Sequence, residues 1–244
     1  MFAVAADHGY KSIFSYTDLD ITRRQSAHIR RAVLIIACRW NPDYVVVSTK
    51  DLSWACRRMG YESIIVGYPD ILHWSDLEIA KMSEAPINKQ LPFSKIGFSV
   101  GENFFNENYD DLRKILRSIS AQKHILEPYF EDRFSYDYIK NVLYKLQNVS
   151  GLHSLKLSLK DEKCTYKVFP AVINDCKWLS RSGGMPFSKF KSALSDAISN
   201  GCEGAIVGSA IWGTHVNDIY HSPNSSGTIN SIHSRMEAID NIIR

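Results

Sequence analysis

The sequence predicts an α/β fold, a parallel (β/α)8 TIM barrel, and three observations carry that prediction. Roughly eight strand-like segments alternate with segments of helical period along the chain. The links between them are short, with no Pro- or Ser-rich linker, so residues 1–244 read as one barrel domain. The length of 244 residues also suits a single α/β barrel. A doubly wound sheet would show the same alternation, and the count alone does not separate the two. No strand is followed by G-x-G-x-x-G or a P-loop, so the Gly-rich segments lend nothing to a nucleotide-binding form.

In chain order, "FAVAAD" (2–7) reads as a strand with Phe2, Val4 and Ala6 on one face and Ala3, Ala5 and Asp7 on the other. "ITRRQSAHIRRAVLIIACRW" (21–40) has helical length, with Ile29, Val33, Ile36 and Ala37 on its apolar face. "DYVVVST" (43–49) is a β-branched run suited to a strand covered on both faces. A helix follows around 51–60, then the strand "SIIVGY" (63–68), closed by Pro69 and Asp70. "WSDLEIAKMSEA" (74–85) predicts a helix with Ser75 as N-cap. The strand "SKIGFSV" (94–100), a helix in 108–120 and the strand "KHILE" (123–127) come next. A helix in 135–147 leads to the strand "GLHSLKLSLK" (151–160), and "CKWLSRS" (176–182) forms the seventh strand. A helix from Ser188 to Asn200, ended by Gly201, precedes the strand "GAIVGS" (204–209), and a helix over 229–244 closes the chain.

Composition narrows the function classes. Hydrophobic residues at 45% and charged residues at 23% give the profile of a soluble protein with a substantial core. A net charge of +3 is too small to argue for nucleic-acid or membrane binding. The pairs Arg23-Arg24, Arg30-Arg31 and Arg57-Arg58 fall in helical patterns and read as solvated faces. Five scattered cysteines without metal-ligand spacing read as reduced thiols of a cytosolic protein. The N-terminus has no basic n-region or signal-length apolar run, and nothing approaches a membrane span. His8, His124 and His153 sit on different strands or turns and are expected to satisfy local hydrogen bonds, so no metal or cofactor is expected.

Charge on the apolar strands carries the chemistry. In "GLHSLKLSLK", Leu155, Leu157 and Leu159 share one face, and Ser154, Lys156 and Ser158 share the other. Lys95 likewise lies with Gly97 and Ser99, opposite Ile96, Phe98 and Val100. Asp7 ends the first strand and Glu127 the fifth. Each residue has an inert reading. A strand-end lysine is commonly solvated, Asp7 could cap the turn before Gly9, and Glu127 could be a loop acid before Pro128. Together the four could also form a structural ion network. The functional reading accounts for all four types at once. A lysine desolvated inside a barrel beside another cation loses its proton more readily and attacks carbonyls, while a neighbouring carboxylate shuttles protons.

The same patches resemble the class I, Schiff-base aldolases typified by tagatose-1,6-bisphosphate aldolase and sulfofructose-phosphate aldolase. "FAVAADHGY" is similar to that family's A-x-D-Q/H-R strand, "FSKIGFSV" to A-V/L-K-L-L, "HILEPYF" to x-I-E-P-V, and "GLHSLKLSL" to G-A-D-L-Y-K-V-E. "WLSRSGGM" resembles W-V-I-L-S-S-G-V, and "GCEGAIVGSAIW" resembles G-A-S-G-F-L-A-G-R-A-V-W, both in order and Gly positions, the latter ending at Trp212. The resemblance implies that Lys156 forms the imine, Glu127 shuttles protons, Lys95 lowers the pKa of Lys156, and Asp7 binds hydroxyls near the scissile bond. It also implies a sugar or sugar-phosphate substrate and a possible homo-oligomer.

By the same resemblance, the loops after strands seven and eight, with Arg181, Ser182, Gly183, Gly184, Gly208 and Ser209, would hold a substrate phosphate or sulfonate. Backbone N–H groups there suit an anion, although such glycines also shape ordinary strand–helix turns. Two positions depart from the family. Its anion-binding arginine is Ser209 here, with Arg181 as a possible replacement, and the glutamate two residues after the imine lysine is Ser158. Three further readings therefore stay open: a Schiff-base lyase or transaldolase-type enzyme on a non-phosphorylated substrate, a degenerate barrel that binds without turnover, and a phosphate-binding isomerase.

Overall fold

Three consecutive valines, Val45, Val46 and Val47, are all buried in the second strand of this computed structural model, as in a parallel sheet covered on both faces. A strand buried on both faces needs helices outside and packed side chains inside. The structure describes residues 1–8, 13, 15–17, 21–68, 72, 91–119, 123–130, 134–159 and 176–244. Its strands are β1 (Phe2–Ala5), β2 (Tyr44–Ser48), β3 (Ile64–Tyr68), β4 (Phe93–Val100), β5 (Lys123–Phe130), β6 (Leu152–Ser158), β7 (Lys177–Arg181) and β8 (Ala205–Val207). All neighbours are parallel in sequential order, and β8 returns to β1 through the register Phe2↔Ala205 to Val4↔Val207. A wound sheet would leave two edges; this is a closed (β/α)8 barrel.

The described helices are α1 (Arg23–Trp40), α2 (Leu52–Met59), α3 (Phe104–Glu107), α4 (Tyr109–Ser118), α5 (Tyr136–Leu146), α6 (Phe187–Ser199), α7 (Ser209–Trp212), α8 (Val216–His221) and α9 (Ser226–Ile243). A 3₁₀ turn, Gly213–His215, joins α7 to α8. The helix expected over 74–85, with its Ser75 cap, lies outside the described residues. α1 begins at a capping box: the Thr22 hydroxyl accepts from the Gln25 N–H at 3.2 Å, and the Gln25 side chain accepts from the Thr22 N–H at 2.6 Å. It ends where Asn41 turns left-handed at φ 66°. Ser135 caps α5 by accepting from the Tyr138 N–H at 3.2 Å.

The two-residue period sorts the core into an outer and an inner set. Phe2, Val4, Ile96, Phe98, Leu155 and Leu157 face the helices. Ala3, Ala5, Val46, Ile65, Phe93, Ile125, Leu179 and Ile206 form a separate inner cluster. Fully burying each larger apolar side chain contributes about 1.5–3 kcal/mol. The inner cluster plugs the barrel, and the polar inner residues lie beyond it along the same strands. Trp212 ties the last turn to the first strand by donating its indole N–H to the Ala5 carbonyl at 3.0 Å.

Three sequence expectations change. β5 does not stop at Glu127 but runs on to Phe130, paired with β4 throughout. Pro128 is tolerated because its missing N–H falls on the β6 side, where pairing has ended at Leu126. β1 ends at Ala5, so Asp7 stands two residues beyond it, although the Ala6 N–H still reaches the Val46 carbonyl at 2.9 Å. Arg30 is not solvated. It is buried and donates to Asp51 at 2.7 Å, while its neighbour Arg31 reaches the other Asp51 oxygen at 3.0 Å. Cys38, Cys56, Cys176 and Cys202 are free thiols, and Cys164 lies outside the described residues. No described helix is long and apolar enough to cross a membrane.

Candidate active site

Lys95, Glu127 and Lys156 project inward from three adjacent strands, β4, β5 and β6, because each has the inner parity of its strand. Glu127 sits between the two lysines: Oε2 lies 3.1 Å from Lys95 Nζ, and Oε1 lies 3.1 Å from Lys156 Nζ. Asp7 enters from the end of β1 and places Oδ2 2.5 Å from Lys95 Nζ. The four side chains form one buried cluster, each no more than 7% exposed. Gly67 makes room for it. It lies opposite Lys95 in the β3–β4 register, and a Cβ there would overlap the Asp7 carboxylate.

The two lysines differ in charge environment. Burial disfavours the Lys95 ammonium, but Asp7 and Glu127 together outweigh it and hold its pKa well above the ordinary lysine value. For Lys156 burial dominates. Glu127 resists, Lys95 adds repulsion, and the pKa falls to about 8. Burial would raise Glu127, yet Lys156, Lys95 and Arg181 outweigh it and keep the carboxyl well below its ordinary range. Asp7 follows the same pattern, with burial opposed chiefly by Lys95, and its pKa is lowered. The cluster thus contains two carboxylates, one firmly charged ammonium and one lysine within reach of neutrality near physiological pH.

These groups line a cavity of about 320 Å³ at the C-terminal end of the barrel. The residues expected to hold substrate, Arg181, Ser182, Gly183, Gly184, Gly208 and Ser209, all border the same cavity. Arg181 ends β7 with its Nε 3.5 Å from Glu127 Oε1 and its guanidinium 4.9 Å from the Tyr129 ring centre. Gly183 and Gly184 take φ of 57° and 83° as the chain leaves β7 for α6. Among the described residues no three His, Cys, Asp or Glu side chains are grouped to hold a metal ion.

Tyr129 and His8 also line the cavity: Tyr129 was not anticipated, and His8 was expected only to satisfy a local hydrogen bond. Tyr129 lies two residues past Glu127 on the same face, a parity that becomes legible once β5 is continued through Pro128. Burial, with Glu127 beside it, pushes its phenol pKa well up. His8 packs edge-on against Trp212, with ring centres 4.8 Å apart, and its buried Nδ1 has no hydrogen-bond partner among the described residues. Burial lowers its pKa to about 4, so the ring is neutral above that pH. His124 meets the expectation of a local bond through Ser94 at 2.7 Å, and His153 approaches the Ser154 hydroxyl at 3.3 Å.

No protein-family model matches the chain, and no curated protein matches its sequence. Solved structures do match. The protein Cgl0159 of Corynebacterium glutamicum superposes with a TM-score of 0.66 at 13% identity, over 99% of this chain and 85% of that one. An archaeal fructose 1,6-bisphosphate aldolase gives 0.65 at 13% identity, over 98% and 93%. A second archaeal structure of that enzyme, with its catalytic lysine covalently bound to the carbinolamine intermediate of the substrate, gives 0.63 at 14% identity, over 98% and 93%. At these identities the likeness establishes the shared barrel.

Proposed function

We propose that the chain is a class I aldolase, a lyase that forms or breaks a carbon–carbon bond beside a ketone carbonyl through a Schiff base on Lys156. The observation that carries this reading is the buried Lys156 Nζ, 3.1 Å from Glu127 Oε1 and shifted to a pKa of about 8. At neutral pH roughly a tenth of such a lysine is the free amine. The neutral amine adds to the carbonyl carbon. Glu127 moves one proton from the attacking nitrogen to the former carbonyl oxygen, and with a second proton from solvent that oxygen leaves as water. The resulting iminium withdraws electrons from the adjacent carbon. When the bond one carbon further out breaks, its electron pair is held as an enamine. Lys95, fixed in charge between Asp7 and Glu127, adds the repulsion that keeps Lys156 reactive, and Asp7, which lines the same cavity, takes the role of binding a substrate hydroxyl. The two archaeal structures named above are aldolases, one caught as a lysine carbinolamine, which supports the same reading.

A second reading keeps the imine and changes the substrate to a non-phosphorylated one. Ser209 favours it, because the position lining the cavity after β8 carries a neutral hydroxyl.

Enamine formation is measurable without the true substrate. In deuterium oxide, hydroxyacetone, pyruvate or dihydroxyacetone phosphate should exchange the hydrogens next to its carbonyl in the presence of the protein, and Lys156→Ala should abolish the exchange. Exchange that persists in Lys156→Ala would remove the lysine from the chemistry.

A further inference from the structure

Arg181 shares an ion-pair partner with the lysine that would form the imine. It and Lys156 approach the same oxygen, Glu127 Oε1, so Arg181 Nε and Lys156 Nζ are no further apart than those two legs of 3.5 and 3.1 Å laid end to end. The guanidinium is held there by the Tyr129 ring on one side. Its Nε is buried and makes no hydrogen bond among the described residues, although the side chain as a whole is 25% exposed and borders the cavity. It is a held cation with hydrogen-bonding capacity to spare, next to the reacting nitrogen.

We infer that the substrate carries a carboxylate on the carbon next to its reacting carbonyl, making it a 2-oxo acid, and that Arg181 binds that carboxylate. The inference rests on the Schiff-base reading of Lys156 given above.

A carboxylate one bond from the carbonyl carbon puts its oxygens roughly 3 Å from the imine nitrogen, and a charge-assisted hydrogen bond adds about 2.8 Å. That reach lies within the upper limit that the two legs to Glu127 Oε1 place on the Arg181–Lys156 distance. A phosphate ester on a neighbouring hydroxymethyl carries its charge two bonds further out and meets that limit only when folded back towards the imine nitrogen.

Among the described residues around the cavity, the cations Lys95, Lys156 and Arg181 face the anions Asp7 and Glu127. When Lys156 becomes an iminium it keeps its positive charge. An uncharged ketone then leaves one positive charge unbalanced in a buried site, whereas a single carboxylate neutralises the set. The step balances as amine, carbonyl and one proton giving iminium and water. The C–O double bond is replaced by C–N, and the carboxylate takes no part beyond its contact with Arg181.

The test is reductive trapping at Lys156 with borohydride, using pyruvate, uncharged hydroxyacetone and dihydroxyacetone phosphate as probes at equal concentration. The wild-type chain should take up pyruvate in preference to the other two, gaining the mass of the acid less one oxygen. In Arg181→Met the pyruvate-to-hydroxyacetone ratio should fall about 10- to 100-fold, the range for losing a hydrogen bond to a charged group. Arg181→Lys, which keeps a cation, should restore part of it, and circular dichroism reports whether each variant folds. Trapping at Lys156 that favours dihydroxyacetone phosphate or hydroxyacetone, or a ratio that Arg181→Met leaves unmoved, overturns the 2-oxo acid assignment while the Schiff base stands. No adduct on Lys156 with any of the three overturns both.

Discussion

Lys95 and Lys156 are the same side chain in the same barrel with opposite electrostatic fates. Lys95 has a carboxylate on each side, at 2.5 and 3.1 Å, and stays charged, while Lys156 has one at 3.1 Å and a cationic neighbour. The form of Lys156 that attacks a carbonyl is the neutral amine, so imine formation should rise about tenfold per pH unit below its midpoint of about 8 and level off above it. Removing the neighbouring cation in Lys95→Met should move that midpoint upward and slow imine formation at pH 7 by roughly three- to tenfold. A midpoint that stays fixed or moves down would break the link between the lysines. Glu127→Gln should act in the other direction on the midpoint, lowering it by removing the anion, yet still slow the reaction by about 10²- to 10⁴-fold through loss of the proton shuttle. Opposed shifts in midpoint and rate distinguish that role from a purely structural one, and pH-resolved trapping rates measure both. At this scale strand parity made the inner faces of Lys95, Glu127 and Lys156 legible in the sequence. It did not reveal Tyr129, because ending the strand at Pro128 cut off the next inner residue, nor the orientation of His8 against Trp212, which depends on contacts over a separation of some two hundred residues.

The elements that hold this geometry meet through a few buried polar anchors. Asp51, at the start of α2, accepts from Arg30 and Arg31 of α1 and from the Ser48 hydroxyl at the end of β2, so one carboxylate joins three elements. Asp51→Ala strands the buried Arg30 guanidinium without its partner and should cost about 3–5 kcal/mol. In urea unfolding that appears as a lower midpoint with an unchanged slope, and a loss under about 1 kcal/mol would mean that the network is redundant. Element types and order were readable because the period changes cleanly between strand and helix, as in Val45–Val47 against Ile29, Val33 and Ile36. The burial of Arg30 was not, since an Arg-Arg pair on a helix looks the same in sequence whether it faces water or an aspartate from another element. The short helix α7 was hidden for a related reason. It is one turn long and is held by the Trp212 indole on the Ala5 carbonyl, a contact across the barrel seam.

On the scale of the whole molecule, closure of β8 onto β1 converts strand parity into chemistry. Apolar inner residues from Ala3 to Ile206 fill the barrel floor, and charged inner residues converge beyond them at the C-terminal end. The alternation of elements left a wound sheet open as an alternative, and only the Phe2↔Ala205 register removes it. Closure brings Asp7, more than a hundred residues before Glu127 and Lys156, into their cluster. The central claim is that this arrangement makes Lys156 an imine-forming nucleophile. The most direct measurement is peptide mass mapping of the full chain after incubation with a carbonyl substrate and borohydride. The account predicts one adduct, on Lys156, that is absent from Lys156→Ala. An adduct confined to a different lysine, or none at all from the folded protein, would contradict it.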